Sequence, residues 1–202
     1  MSDTVPAIDP ERTALLVMDY QTGILGRLPD AEALLARAGE AIGIARDHGA
    51  RIGYVRVAFT DEDFAAMPPT SRMGARVGTS PQAFHADSPA TAIHDQIAPQ
   101  PGDAVVRKTR VGAFSTTDLD DQLRGHGVDT LILAGISTSG VLLSTVRDAS
   151  DRDYRVVVLA DVSADPEPDV HDFLTQRILP RQADVITLAD LDGLLSAGAA
   201  GA

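Results

Sequence analysis

The chain has no cysteine and no tryptophan. Without a thiol it can form no disulfide, no Cys-ligated zinc or iron–sulfur centre and no thiolate nucleophile. Basic side chains are also scarce: 17 Lys and Arg stand against 29 Asp and Glu, a formal net charge of −12. That balance works against phosphate backbones and anionic lipid, so neither nucleic acid nor a membrane surface is an expected partner. No apolar run approaches the roughly 18 residues that a membrane-spanning helix needs. The opening MSDTVPAIDPERT has no basic segment followed by an apolar stretch, and a cytoplasmic protein is therefore the expectation. Also missing are a P-loop, a dinucleotide-binding glycine pattern and a G-x-S-x-G nucleophile elbow.

What remains is 202 residues, 44% of them hydrophobic, with Ala, Val, Leu and Ile supplying most of the apolar content. This suffices for one domain spanning 1–202. Apolar runs at 13–19, 51–57, 103–108, 130–135, 154–161 and 183–188 read as strands, and most are continuous rather than alternating. Strands of that kind are covered on both faces. Helical segments are expected at 30–48, 117–126, 141–151, 170–178 and from 191 onward, so strands and helices alternate. Right-handed crossovers then give a mostly parallel α/β sheet with helices on both sides. Gly49 and Gly127, in DHGA and GHGV, read as left-handed helix C-caps. Residues 58–102 break the rhythm with a long irregular connection that has a short helical piece near 90–97. Phe59, Phe64, Met67, Met73 and Phe84 make it an expected ordered lid or oligomer contact. Exposed on a lid, those side chains would form a greasy patch that a second copy of the chain covers.

In open parallel sheets, ligands bind beyond the C-terminal ends of the strands. Asp19, Lys108, the 135–140 loop and Asp161 all fall there. A neighbouring Asp and Lys form a proton-transfer pair in which each holds the other's charge, although an Asp after a strand also serves as a helix cap. In GISTSGV, backbone N–H groups enter a helix N-terminus and can stabilise an anionic oxygen, while Ser137, Thr138 and Ser139 serve equally as local caps. His85 and His94, near Asp61 and Asp63, match no metal-ligand spacing, and His171 reads first as helix support. Arg72, Arg76, Arg107 and Arg110 concentrate positive charge about the expected mouth, which suits a carboxylate ligand. Strand alternation turns Arg107 and Lys108 to opposite faces.

Asp19 and Gln21 in LLVMDYQ, Lys108 in VVRKTRVGAF, and LILAGISTSGVLLSTVRDASDRDYRVVVLADVSAD together resemble the isochorismatase-like hydrolase superfamily. That group includes nicotinamidases, carbamoylsarcosine amidohydrolases and isochorismatases, and the resemblance runs in order from residue 13 to about 190. It implies a Rossmann-like three-layer α/β/α sandwich with a six-stranded, mostly parallel sheet, in a homodimer or higher homo-oligomer. Amidohydrolase members carry a cysteine in a G-x-x-T-x-x-C loop; counted from Gly135, that position here is Val141. By the resemblance Asp19 is the catalytic acid/base, and Lys108 holds its charge and binds substrate. Gln21, Ile136, Ser137, Ser139, Gly140 and Val141 then line the substrate site, with Arg72 or Arg76 as a carboxylate clamp from the lid. A non-proline cis peptide is implied at Ile136–Ser137. The family's metal pattern pairs an Asp with a His two residues on. Here Asp61 is followed by Glu62 and Asp63, so neither a metal nor another cofactor is expected. Isochorismatases also lack the cysteine and cleave an enol ether after an Asp protonates its vinyl carbon. The implied function is a non-cysteine hydrolase of a small carboxylated metabolite, with enol-ether cleavage the closest analogy. Two alternatives stay open: a catalytically inactive ligand-binding or structural homologue, and an amide or ester hydrolase using Ser139.

Overall fold

In TALLVM, TLILAG and RVVVL successive side chains are apolar without alternation, so these strands must be covered on both faces. The computed structural model, which describes residues 5–199, places them inside a six-stranded sheet. Its strands are β1 (Thr13–Met18), β2 (Arg51–Val57), β3 (Ala104–Lys108), β4 (Thr130–Gly135), β5 (Arg155–Leu159) and β6 (Asp184–Ile186). Their order is β3-β2-β1-β4-β5-β6, and every neighbouring pair is parallel. Helices α1 (Thr22–Leu25), α2 (Ala31–Asp47), α3 (Asp61–Ala65), α4 (Arg72–Val77), α5 (Pro81–Phe84), α6 (Leu119–Gly125), α7 (Leu143–Asp151), α8 (Pro168–Phe173) and α9 (Leu188–Ala199) connect or flank them.

The pleat divides each central strand between two cores. Leu15, Val17, Ile132, Ala134, Val157 and Leu159 pack against α2 and α9. Leu16, Met18, Leu131, Leu133, Val156 and Val158 pack against α6 and α7. This is the three-layer sandwich expected. Gly49 and Gly127 close α2 and α6 at φ +83° and +75°, a region that glycine enters without a Cβ clash. The expected helix 141–151 instead starts as a π turn over Thr138–Leu142, because the Leu142 N–H reaches back five residues to the Ser137 carbonyl. The expected helix 170–178 likewise divides into α8 and a π turn at Leu174–Ile178.

The lid is ordered, but its apolar residues face inward. Val57, Phe59 and Val77 form a small core that Phe64, Met67, Met73 and Phe84 complete, and the Phe59 and Phe64 rings stack with centroids 5.3 Å apart. Phe59 is buried and Phe64, Met67 and Met73 are half-buried, so none of the four is fully exposed as expected. Sheet residues tie this segment down. The Gln21 amide donates to the Val57 and Thr91 carbonyls at 2.9 and 2.8 Å and accepts the Val57 N–H at 2.8 Å. Arg107 donates to the Ala58 carbonyl at 2.9 Å and pairs with Asp63, which also closes the capping box of α3. Gly23 lets the 3-10 turn Pro89–Thr91 approach, since a Cβ there would stand 2.9 Å from the Ala90 oxygen.

Gln21 is buried, so its three bonds have no water to replace them. Gln21→Leu should cost about 2–4 kcal/mol, the penalty for stranding the groups of Val57 and Thr91. Urea denaturation measures it. A loss below about 0.5 kcal/mol would mean that the amide does not hold the lid.

Candidate active site

Strand order reverses between β1 and β4, and such a switch point opens a crevice beyond the strand ends. Asp19 leaves β1 in the left-handed region, φ +62°, a conformation that Asp tolerates better than most residues. Its N–H is taken by the Val55 carbonyl at 2.8 Å and its carbonyl by the Gln21 N–H at 2.8 Å. Lys108 ends β3, two strands away, opposite Val57 of the intervening β2. Its Nζ donates to Asp19 Oδ2 and the Val111 carbonyl at 2.8 Å each, and to the Arg110 carbonyl at 3.2 Å. Both side chains are buried.

The carboxylate is only half satisfied. Asp19 Oδ1 is buried and has no hydrogen-bond partner among the described residues. Burial pushes the Asp19 carboxyl above its ordinary 3.8, against the opposing charge and hydrogen bond of Lys108. A raised carboxyl with one open oxygen beside a fixed ammonium is suited to hold a proton and release it to a bound molecule.

The loop after β4 forms the facing wall. The Ile136–Ser137 peptide is cis, as the resemblance implies. Ile136 N–H donates to the Met18 carbonyl at 3.1 Å and Thr138 N–H to the Ala164 carbonyl at 2.9 Å. The Ser137 N–H finds no acceptor among the described residues, and Ser137 is one of the residues that border the cavity. Val141 is 2% exposed, with its Cγ1 against Gly135.

These walls enclose about 180 Å³, lined by Asp19, Lys108 and mostly apolar side chains including Ile24, Leu28, Met73, Phe84 and Val111. That is small beside the roughly 300–1,000 Å³ of drug-sized pockets and suits a compact metabolite. Shallower clefts on the outer lid are lined by no Lys or Arg, and the one at the opposite end of the sheet is bordered by the Arg46–Asp103 pair, whose guanidinium is partly exposed.

Of the residues singled out in the sequence, Asp19, Lys108, Gln21, Arg76, Ile136, Ser137, Gly140 and Val141 border this cavity. Arg72 and Ser139 do not. Arg72 is exposed in the first turn of α4, and Ser139 is exposed with its N–H donated to Asp165 Oδ2 at 2.7 Å. Gln21 borders the cavity with its amide already committed to the lid. Asp161 is a cap: its Oδ1 accepts the Leu188 N–H at 2.8 Å, at the start of α9. His171 Nδ1 lies 2.7 Å from Thr138 Oγ1 and supports the loop from behind. Asp63 is held by Arg107 rather than facing His85. Arg27, which follows α1, borders the cavity and was not anticipated. Its only sequence signal is a position just past α1, in the connection that follows β1.

A family model described as the isochorismatase domain matches residues 13–190. The chain belongs to the isochorismatase family of hydrolases. It is 36% identical over 185 residues to the phenazine biosynthesis protein PhzD of Pseudomonas fluorescens, covering 89% of this chain and 84% of that one. It is 32% identical over 176 residues to the isochorismatase family protein YwoC of Bacillus subtilis, covering 86% and 89%. An isochorismatase family structure from Burkholderia thailandensis superposes with a TM-score of 0.83 at 30% identity, covering 96% of this chain and 100% of that one.

In this member of the isochorismatase family, Lys108→Met would leave Asp19 buried without a counter-ion. A loss of about 3–5 kcal/mol is expected near neutral pH. Because burial raises the folded carboxyl above 3.8, its stabilising contribution is present at low pH and lost as pH rises through the folded value. Removing Lys108 raises that value further, so the gap between wild type and variant should widen with pH. Denaturant unfolding of both proteins from acid to neutral pH checks this, and a gap independent of pH would contradict it.

Proposed function

We propose that the chain hydrolyses a small carboxylated metabolite without a cysteine nucleophile, with Asp19 as general acid/base and Lys108 as its charged partner. The observation that carries this reading is the unpartnered, buried Oδ1 of Asp19, whose other oxygen, Oδ2, accepts from the Lys108 ammonium at 2.8 Å. The cavity lining offers the hydroxyls of Ser137 and Thr91 but no thiol and no imidazole to activate them. Ser139, the hydroxyl nucleophile considered from sequence, stands outside that lining.

Enol-ether cleavage is the closest analogy. Asp19 transfers its proton from Oδ1 to the vinyl carbon, and the electron pair of the C=C bond forms the new C–H bond. The ether oxygen shares the resulting positive charge as an oxocarbenium ion. As the proton leaves, the new carboxylate forms beside Lys108, whose ammonium stabilises charge that appears only during the step. Water adds to the cationic carbon and returns a proton to Asp19. The hemiketal then collapses to a ketone and an alcohol. Arg76, on the lid at the cavity border, takes the substrate carboxylate.

Turnover on a panel of enol ethers, amides and small esters, followed by Asp19→Asn on the accepted substrate, tests the assignment. Loss of at least about 100-fold in kcat is expected from removal of a general acid. As proton donor Asp19 must be protonated, so kcat/KM should fall as pH rises through its raised value. That descending limb should vanish in Asp19→Asn, and unchanged turnover in the variant would remove Asp19 from the mechanism.

A further inference from the structure

The loop after β4 keeps its backbone donors occupied on either side of Ser137. Gly135 N–H donates to Ser163 Oγ at 3.2 Å, Ile136 N–H to the Met18 carbonyl at 3.1 Å and Thr138 N–H to the Ala164 carbonyl at 2.9 Å. Ser139 N–H donates to Asp165 Oδ2 at 2.7 Å, and Gly140 N–H to the Ser137 carbonyl at 3.2 Å. Ile136, Ser137, Gly140 and Val141 border the cavity, while Thr138 does not.

The Thr138 side chain is instead held from α8, where His171 Nδ1 lies 2.7 Å from its Oγ1. Thr138 is 0% exposed, and among the described residues its hydroxyl has no other partner. A proton on Nδ1 would make Oγ1 the acceptor and strand the hydroxyl hydrogen in the core. The arrangement that strands nothing has Thr138 donating to a bare Nδ1, with the hydrogen of the neutral ring on Nε2. Asp165 grips the same loop, but its bond to the Ser139 N–H lies at the surface, where water can stand in for it. No water reaches the Thr138 hydroxyl, so without the imidazole that donor is satisfied only if the loop shifts.

We infer that His171 is a positioning residue: by accepting the Thr138 hydroxyl at Nδ1, it fixes where Ser137 and Val141 stand in the wall facing Asp19. The inference rests on the reading above that the cavity is where the reaction takes place. His171 does not border the cavity, so its influence runs through Thr138 to the adjacent Ser137. A displacement of about 1 Å in a reacting wall can cost about 100-fold in rate.

His171→Leu removes the acceptor, Thr138→Val removes the donor at nearly constant shape, and His171→Asn retains an acceptor, Oδ1, close to the place of Nδ1. Nitrogen-15 NMR of the intact protein, at a pH where the imidazole is neutral, should show His171 Nδ1 unprotonated and Nε2 protonated. The Ser137 amide resonance should move in His171→Leu and Thr138→Val and stay near its wild-type position in His171→Asn. On the accepted member of the substrate panel, kcat should fall at least about tenfold in His171→Leu and Thr138→Val with KM within about threefold of wild type. His171→Asn should restore kcat to within about threefold, and the His171→Leu/Thr138→Val pair should lose no more than either change alone, since both remove one bond. Should His171→Leu fail to fold, Thr138→Val carries the same test. A ring protonated at Nδ1, an unmoved Ser137 amide in Thr138→Val, or a kcat that His171→Asn does not restore overturns the inference. A lowered thermal transition shared by all three variants with unchanged kcat would mark general support of the fold and overturns it too. The resonances need no substrate, so they decide the role of His171 separately from Asp19→Asn, whose surviving turnover would sink the proton-donor reading alone.

Discussion

A carboxylate and an ammonium held 2.8 Å apart in a buried crevice depend on the register of three strands. β2 lies between β1 and β3, with Met18 paired to Val55 and Val57 paired to Lys108. A slip of one residue in β3 would turn Lys108 to the other face and offer Arg107 in its place. Asp19 would then be buried without a counter-charge, a state costing several kcal/mol. The electrostatics of the site therefore select the register, and the apolar faces of β1 and β4 on either side supply the burial that makes the selection strong.

The same pleat that sends Lys108 inward sends Arg107 to the lid, where it pairs with Asp63 and the Ala58 carbonyl. Gln21 does the corresponding work from the turn after β1, two residues beyond the carboxylate, through three bonds to Val57 and Thr91. Residues within two positions of the ion pair thus hold the segment that covers it. Lid position and ion-pair geometry are consequently coupled through short stretches of backbone, and the lid's inward-facing Phe59, Phe64 and Met73 add packing to those bonds.

Charge is distributed on the same plan. Arg12, Arg46, Arg107, Arg124, Arg152 and Arg155 stand in ion pairs with Asp, while at the cavity border Arg27 and Arg76 have no carboxylate of their own among the described residues. An anionic ligand would move against the average field of the protein but along the local one, because field near an opening is set by the nearest charges and by the low-dielectric walls between them.

Much of this was legible in the amino-acid order. Six apolar runs specify six strands, of which the central ones are continuous and covered on both faces, and Gly49 and Gly127 mark helix ends because only glycine takes that backbone region cheaply. Asp19 and Lys108 follow from their positions at strand ends. These are local signals, written within a few residues of the feature they determine. The partners of Gln21 lie 36 and 70 residues away, and that of Arg107 lies 44 away. The inward packing of the lid, the outward turn of Arg72 and Ser139, and the arrival of Arg27 at the cavity were decided by tertiary structure alone. A side chain's type says what it can bond to, but which of two faces it occupies on a short irregular segment depends on contacts with residues distant in sequence.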